Sequence, residues 1–169
     1  MKHRIIDKPA FEAVGWALAT TTVNGESMRV VPPFWDRCTR EGKVKALQPH
    51  AGSFGLLGLC AEFDAQMEAF TYLVGVESAP GVRYPEGTQK VLVPAARYAV
   101  FECVGPMPDA IQNGWKLVMS EWFPRSAEWE QAQPVNFERY PSFPDGDERG
   151  DPTSPNCSTE IWIPIRPKT

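Results

Sequence analysis

The sequence predicts an α+β fold of two β-α-β-β units. A pseudo-twofold would relate them, joining their strands in an antiparallel sheet and setting two helices over a central ligand cleft. Two observations carry this. The order strand, helix, strand, strand occurs twice, about 87 residues apart, the spacing of Phe11 from Tyr98. Apolar residues also change their period along the chain, from strand-like alternation to helical spacing and back. The repeats cover about 1–80 and 88–169 of a single domain, and 169 residues suffice for one core.

In the first repeat, "KPAFEAVGWALATTT" (8–22) is a long strand-like run. "MRVVPPFWDRCTREGKV" (28–44) follows as a helix, with Pro32 and Pro33 expected in its first turn and Gly42 near its end. After the Gly-rich "AGSFGLLGLC", strands are expected near 59–64 and over "EAFTYLVGVES" (68–78).

The second repeat opens on "TQKVLVPAARYAVFECVG" (88–105), expected as one strand, with turn residues in "GPMPD". In "DAIQNGWKLVMSEWFP" (109–124), Ile111, Trp115, Val118, Met119 and Trp122 share helical spacing, and Asp109 is a suitable N-cap. Strands then follow over "VNFERYPSF" (135–143) and "STEIWIPIRP" (158–167). The acidic, Pro- and Gly-rich 144–156 between them is expected as an exposed loop. Element by element, Trp35 matches Trp115, and "YLVGV" (72–76) matches "IWIPI" (161–165).

Composition removes several classes of function. Seventeen basic and twenty-one acidic residues give a net charge of −4, with no basic run or stripe, so no nucleic-acid contact is expected. "MKHRIIDKPAF" is too polar for a signal peptide, and no apolar stretch nears the roughly 20 residues that span a bilayer. The expected location is the cytoplasm, with Cys38, Cys60, Cys103 and Cys157 reduced. Those cysteines are scattered, and the histidines are only His3 and His50, which leaves no metal site and no nucleophilic triad. Neither a P-loop nor a dinucleotide fingerprint is present, and no cofactor is expected. What stands out is six Trp, four Tyr and nine Phe, residues that suit pocket walls as well as cores.

The terminal strand poses a chemical question. Ile161, Ile163 and Ile165 point to one face, while Glu160 and Trp162 point together to the other. A buried carboxylate is costly unless paired, so an acid beside an aromatic wall suits a ligand cation; the alternative is an acid paired with Arg166 or another base. Glu138 and Tyr140 make a second acid–aromatic pair on one strand face, with an edge-strand surface acid as the alternative.

Taken together, "FTYLVGVES", "VLVPAARYAVFECVGP", "GWKLVMSEWFPRS", "NFERY" and "EIWIPI" resemble the GyrI-like, or AraC-type effector-binding, domains. These include the sensing domain of BmrR-type multidrug regulators. The opening "IIDKPAFEAVGWALAT" fits as well. The resemblance implies a duplicated β-α-β-β (SHS2-type) domain that binds amphipathic, often cationic aromatic compounds in a central cavity. It sets Glu160 at a cavity acid and Glu138 at an acid near the cavity's second half. With nothing before the opening strand, the expectation is a stand-alone sensor or sequestering protein, like those of mobile gene cassettes. Trp162 stands where the family usually has Tyr.

The ligand-binding candidates are therefore Glu160, Trp162, Glu138, Tyr140, Trp35, Trp115, Trp122 and Tyr72, with no catalytic or metal-ligating residue. Trp35 and Trp115 are read as opposing walls or as plain core, and Trp122 as lying on the stripe of Trp115. Tyr72, matching Ile161, faces core or cleft; Trp129 is a surface lid or staple; Glu102 is open between pocket and solvent. The expected partner is a small hydrophobic cation, and a homodimer is one open assembly. Two other functions stay open: a hydrolase of strained electrophiles using Glu160 or Glu138 as general base, and a protein-interaction module.

Overall fold

A computed structural model describes all residues from Met1 to Thr169. Nine strands form one antiparallel sheet: β1 (His3–Lys8), β2 (Phe11–Thr21), β3 (Leu56–Ala61), β4 (Ala69–Glu77), β5 (Gln89–Val93), β6 (Ala96–Val104), β7 (Trp129–Gln131), β8 (Asn136–Tyr140) and β9 (Ser158–Pro167). Their order across the sheet is β1-β6-β9-β8-β3-β4-β2-β5, and β7 pairs along β9. The helices are α1 (Glu26–Arg40), α2 (Lys43–Leu47), α3 (Asp109–Leu117) and the single turn α4 (Phe123–Arg125).

The two repeats are β2-α1-β3-β4 and β6-α3-β8-β9, and they meet where β3 pairs with β8 at the middle of the sheet. Moving outward, β4 mirrors β9 and β2 mirrors β6. The outermost strands are exchanged: β1 precedes β2 but pairs with β6, whereas β5 precedes β6 but pairs with β2. Each repeat thus completes the sheet of the other.

Alternation along the strands makes two cores. On one face α1 covers Phe70, Tyr72 and Val74 of β4, while α3 covers Phe101 and Cys103 of β6 and Ile161, Ile163 and Ile165 of β9. The other face curls on itself without a helix. There Phe11 of β2 and Tyr98 of β6 both meet Phe137 of β8, with ring centroids 5.8 and 5.5 Å apart. The matched pair Phe11 and Tyr98 therefore shares one core.

Several boundaries differ from expectation. α1 begins earlier than expected, after left-handed Asn24 (φ 52°) and Gly25 (φ 66°), which puts Pro32 and Pro33 in its interior instead of its first turn. The carbonyls of Met28 and Arg29 consequently lack their helical donors. The expected strand 88–105 divides at Pro94, because proline cannot donate to a ladder, and its two pieces serve opposite halves. Asp109 occupies the first turn of α3, where its charge suits the helix dipole, and Pro108 holds the cap position. β1 and β7 are short and polar, and periodicity does not reveal them. Trp129, expected as a surface lid or staple, lies half-buried in β7 opposite Pro167. The 144–156 segment is a loop, as expected, and Pro152 accepts a hydrogen bond from Met107 N–H at 2.7 Å. No helix is long and apolar enough to cross a membrane.

Candidate functional site

Glu138 of β8 lies opposite Gly58 of β3 and Ile161 of β9, on the helix-covered face where the repeats join. Its Oε1 accepts the Trp115 indole N–H at 2.7 Å. Its Oε2 accepts the hydroxyls of Tyr140 at 2.7 Å and Tyr72 at 3.3 Å. The Tyr72 oxygen in turn accepts the Trp35 indole N–H at 2.8 Å, and the Trp35 and Tyr140 rings meet edge to face at 5.1 Å. One carboxylate therefore sits among two indoles and two phenols.

Each side chain arrives from a different element. Trp35 comes from α1, Tyr72 from β4, Trp115 from α3, and Glu138 with Tyr140 from β8. Alternation puts 138 and 140 on one face of their strand. The neighbour of Trp115, Gly114, lets α3 lie close to the sheet: a Cβ there would run into Cys103 Sγ and come within 3.0 Å of Ile161 Cδ1.

The electrostatics are unusual for a carboxylate at a sheet centre. None of the protein's ion pairs includes Glu138. Burial pushes its carboxyl above the ordinary range, and the donors Tyr140, Trp115 and Tyr72 pull it partly back. Burial, together with the charge of Glu138, also holds the Tyr72 and Tyr140 phenols well above their usual value, so both remain donors. Glu138, Trp35, Trp115 and Tyr140 each retain partial exposure, whereas Tyr72 is buried. No group of His, Cys, Asp and Glu side chains could hold a metal ion.

Of the eight candidates, the structure brings together Glu138, Tyr140, Trp35, Trp115 and Tyr72. Glu160 and Trp162 are elsewhere, which corrects the expectation of a shared cavity. β9 turns its isoleucines toward α3, so Glu160 and Trp162 face the helix-free side of the sheet, 8% and 3% exposed. Glu160 is fully engaged there. It pairs with Arg4 at 2.7 Å and Arg139 at 2.9 Å, and accepts the Trp162 indole N–H at 2.8 Å. Burial alone would raise its carboxyl, but the Arg139, Arg4 and Trp162 donors outweigh that and hold it below the usual range. Arg166 pairs instead with Glu130. Glu102, directly opposite Glu160 in the ladder, is neutralised by Lys2 at 2.9 Å.

Trp122 also lies outside the Glu138 group. A wider π turn over Val118–Trp122 follows α3, yet Trp122 keeps to the expected stripe: with Ile111, Trp115 and Val118 it packs into the cluster of Phe101 and Ile161, and only Met119 leaves it. Trp122 packs edge to face on Phe101 at 5.0 Å and on His3 at 5.4 Å, while Met119 is exposed. Sequence reading passed over Gly58, which lies beside Glu138. Its signal was available, because a glycine inside a strand marks a close approach.

Comparison with known proteins gives this site a setting. The family model described as integron-associated effector binding protein matches residues 4–165. The transcriptional regulator BrlR of Pseudomonas aeruginosa is 30% identical over 166 residues; the match takes in 98% of this chain but only 56% of BrlR. The chain thus spans about half the length of that relative. Among solved structures, a putative transcription regulation protein of Staphylococcus aureus MU50 is similar with TM-score 0.79 and 25% identity, over 98% of this chain and 99% of that one. SAV2435 bound to tetraphenylphosphonium is similar with TM-score 0.80 and 24% identity, over 98% and 94%. A match over nearly the whole length, on a duplicated antiparallel fold with a central polar–aromatic site, places this chain in the integron-associated effector binding protein family.

Proposed function

We propose that the Glu138 site binds amphipathic cations carrying aromatic groups, and that the chain acts as a sensor or sequestering protein for them. The observation that carries this is a carboxylate with three hydrogen-bond donors around it and no cationic partner in the protein. Such a charge is costly beneath a helix-covered face unless something positive arrives to meet it. Indole and phenol faces attract a desolvated cation by about 0.5–2 kcal/mol each and accept varied aromatic shapes. The tetraphenylphosphonium held by SAV2435 is a cation of this class and supports the choice of probe. The reading sets the chain in the cytoplasm, with net charge −4 supporting a partner that is a small cation and not nucleic acid.

The test uses a matched pair, tetraphenylphosphonium and tetraphenylborate, which share shape and differ in sign. Intrinsic tryptophan fluorescence follows each titration. The cation is expected to quench and the anion to have little effect, with Glu138→Gln weakening the cation about tenfold or more, a difference of about 1.4 kcal/mol. Equal responses to both ions, or a Glu138→Gln variant that binds as the parent does, would overturn the reading.

A further inference from the structure

Gly58 lies in the interior of β3, directly between Val74 of β4 and Glu138 of β8. Tyr72 of β4 is opposite Cys60, not Gly58, so its phenol has to lean across β3 to reach Glu138. The space it crosses is the one a side chain at position 58 would fill. A Cβ there would run into the Tyr72 hydroxyl oxygen, stand 3.1 Å from Tyr72 Cζ and 3.0 Å from Glu138 Oε2. Tyr72 cannot simply yield. It is 3% exposed, and its hydroxyl is held from one side by the Trp35 indole and from the other by the carboxylate.

We propose that Gly58 is a positioning residue of the effector site: its missing side chain lets Tyr72 lie across β3 and join Trp35 to Glu138. The proposal rests on reading the Glu138 group as the cation site. Glycine is otherwise a poor choice for a strand interior, where it contributes backbone entropy cost and no packing. Nothing in the turn of the chain requires it either, since Gly58 is absent from the residues with positive φ. What the position requires is space. An alanine methyl would part Tyr72 from Glu138, deprive the Trp35 indole of its acceptor and intrude on the carboxylate a ligand would meet.

The test is a cycle of Gly58→Ala, Tyr72→Phe and the double variant, each titrated with tetraphenylphosphonium and melted in parallel. Tyr72→Phe removes the oxygen of the severest contact and leaves Tyr72 Cζ at 3.1 Å and Glu138 Oε2 at 3.0 Å, which shifts of a few tenths of an ångström relieve. Gly58→Ala is therefore expected to weaken binding about tenfold in the parent and less than about threefold in the Tyr72→Phe background. The double variant is expected to melt close to or above Tyr72→Phe, because alanine suits a strand better than glycine once the severest contact is gone. Should Gly58→Ala alone fail to fold, recovery of a folded double variant carries the same information. A penalty equal in both backgrounds, or a Gly58→Ala protein that binds and melts as the parent does, would overturn the role of Gly58. A parent that ignores tetraphenylphosphonium, or a Glu138→Gln variant that binds it unchanged, would instead overturn the cation reading itself. The melting cycle reports the Gly58–Tyr72 coupling in either case.

Discussion

The Trp115 indole N–H is the only hydrogen bond that Oε1 of Glu138 receives, at 2.7 Å, whereas Oε2 is shared by Tyr140 and Tyr72. The two oxygens are therefore not equivalent. Oε1 has acceptor capacity to spare and looks toward α3, and Oε2 has both of its lone-pair directions occupied. Because the three donors come from β4, β8 and α3, both repeats are needed to complete one acid.

Replacing Trp115 separates the direct partner from the indirect one. Trp115→Phe keeps a ring but removes the donor, so the carboxyl rises further and tetraphenylphosphonium binding weakens by about 0.5–2 kcal/mol. Trp35→Phe acts on Glu138 only indirectly, through the Tyr72 hydroxyl it donates to and the Tyr140 ring it packs on, so its effect on the acid is smaller. Affinity measured against pH distinguishes them: the midpoint should move upward in Trp115→Phe and stay nearly in place in Trp35→Phe. A larger shift from Trp35→Phe would contradict the geometry.

Binding and stability should respond to pH in opposite directions at Glu138. Its folded carboxyl lies above its unfolded value, chiefly through burial. The stability it contributes is therefore complete below the ordinary carboxylate pKa, about 4.3, and is lost as pH rises through the raised folded value. Only the ionised form attracts a cation, so affinity rises across that same interval. Glu160 has the other sign: its folded carboxyl is lowered, and its contribution is lost as pH falls through that lower value. Comparing the melting temperature of Glu138→Gln with the parent from pH 4 upward isolates Glu138. The variant should gain on the parent as pH rises, and its binding should lose the pH dependence. A variant that loses ground on the parent over that interval would refute the assigned direction.

The order of elements and the faces of the strands were legible because alternation reports sidedness directly. Glu138 with Tyr140, and Glu160 with Trp162, were each correctly paired on one strand face. Which face carries the cleft was a different matter. Alternation labels two sides without saying that α1 and α3 both cover the side of Glu138, or that the other side curls into a second core. Long-range partners were equally hidden. Arg139 neighbours Glu138 in sequence yet reaches Glu160, and Arg4 arrives through an exchanged strand too short and polar to predict. Helical spacing set Trp122 correctly on the stripe of Trp115 but could not say that it ends on Phe101 and His3, away from Glu138, or that the π turn turns Met119 outward. Gly58 was legible in principle, but only as a close approach without a named neighbour.

Glu160 supplies the sharpest separation of stability from binding. Its carboxylate closes a cluster on the helix-free face in which Arg139 also donates to the Phe54 carbonyl at 2.7 Å and lies 4.7 Å from the Phe54 ring. The Arg139 side chain is 17% exposed, so removing its acid leaves a cation largely cut off from water. Breaking one partner of such a buried pair costs about 3–5 kcal/mol. For a chain of this size each kcal/mol lowers the melting temperature by about 2–4 °C. Glu160→Gln should therefore melt clearly below the parent. Its affinity for tetraphenylphosphonium should nevertheless stay close to the parent's, because the sheet separates this cluster from Glu138. The partner experiment is Glu138→Gln, which should lose the ligand without that loss of stability. Were Glu160→Gln to lose the cation while remaining as stable as the parent, the effector would have to be assigned to the opposite face of the sheet.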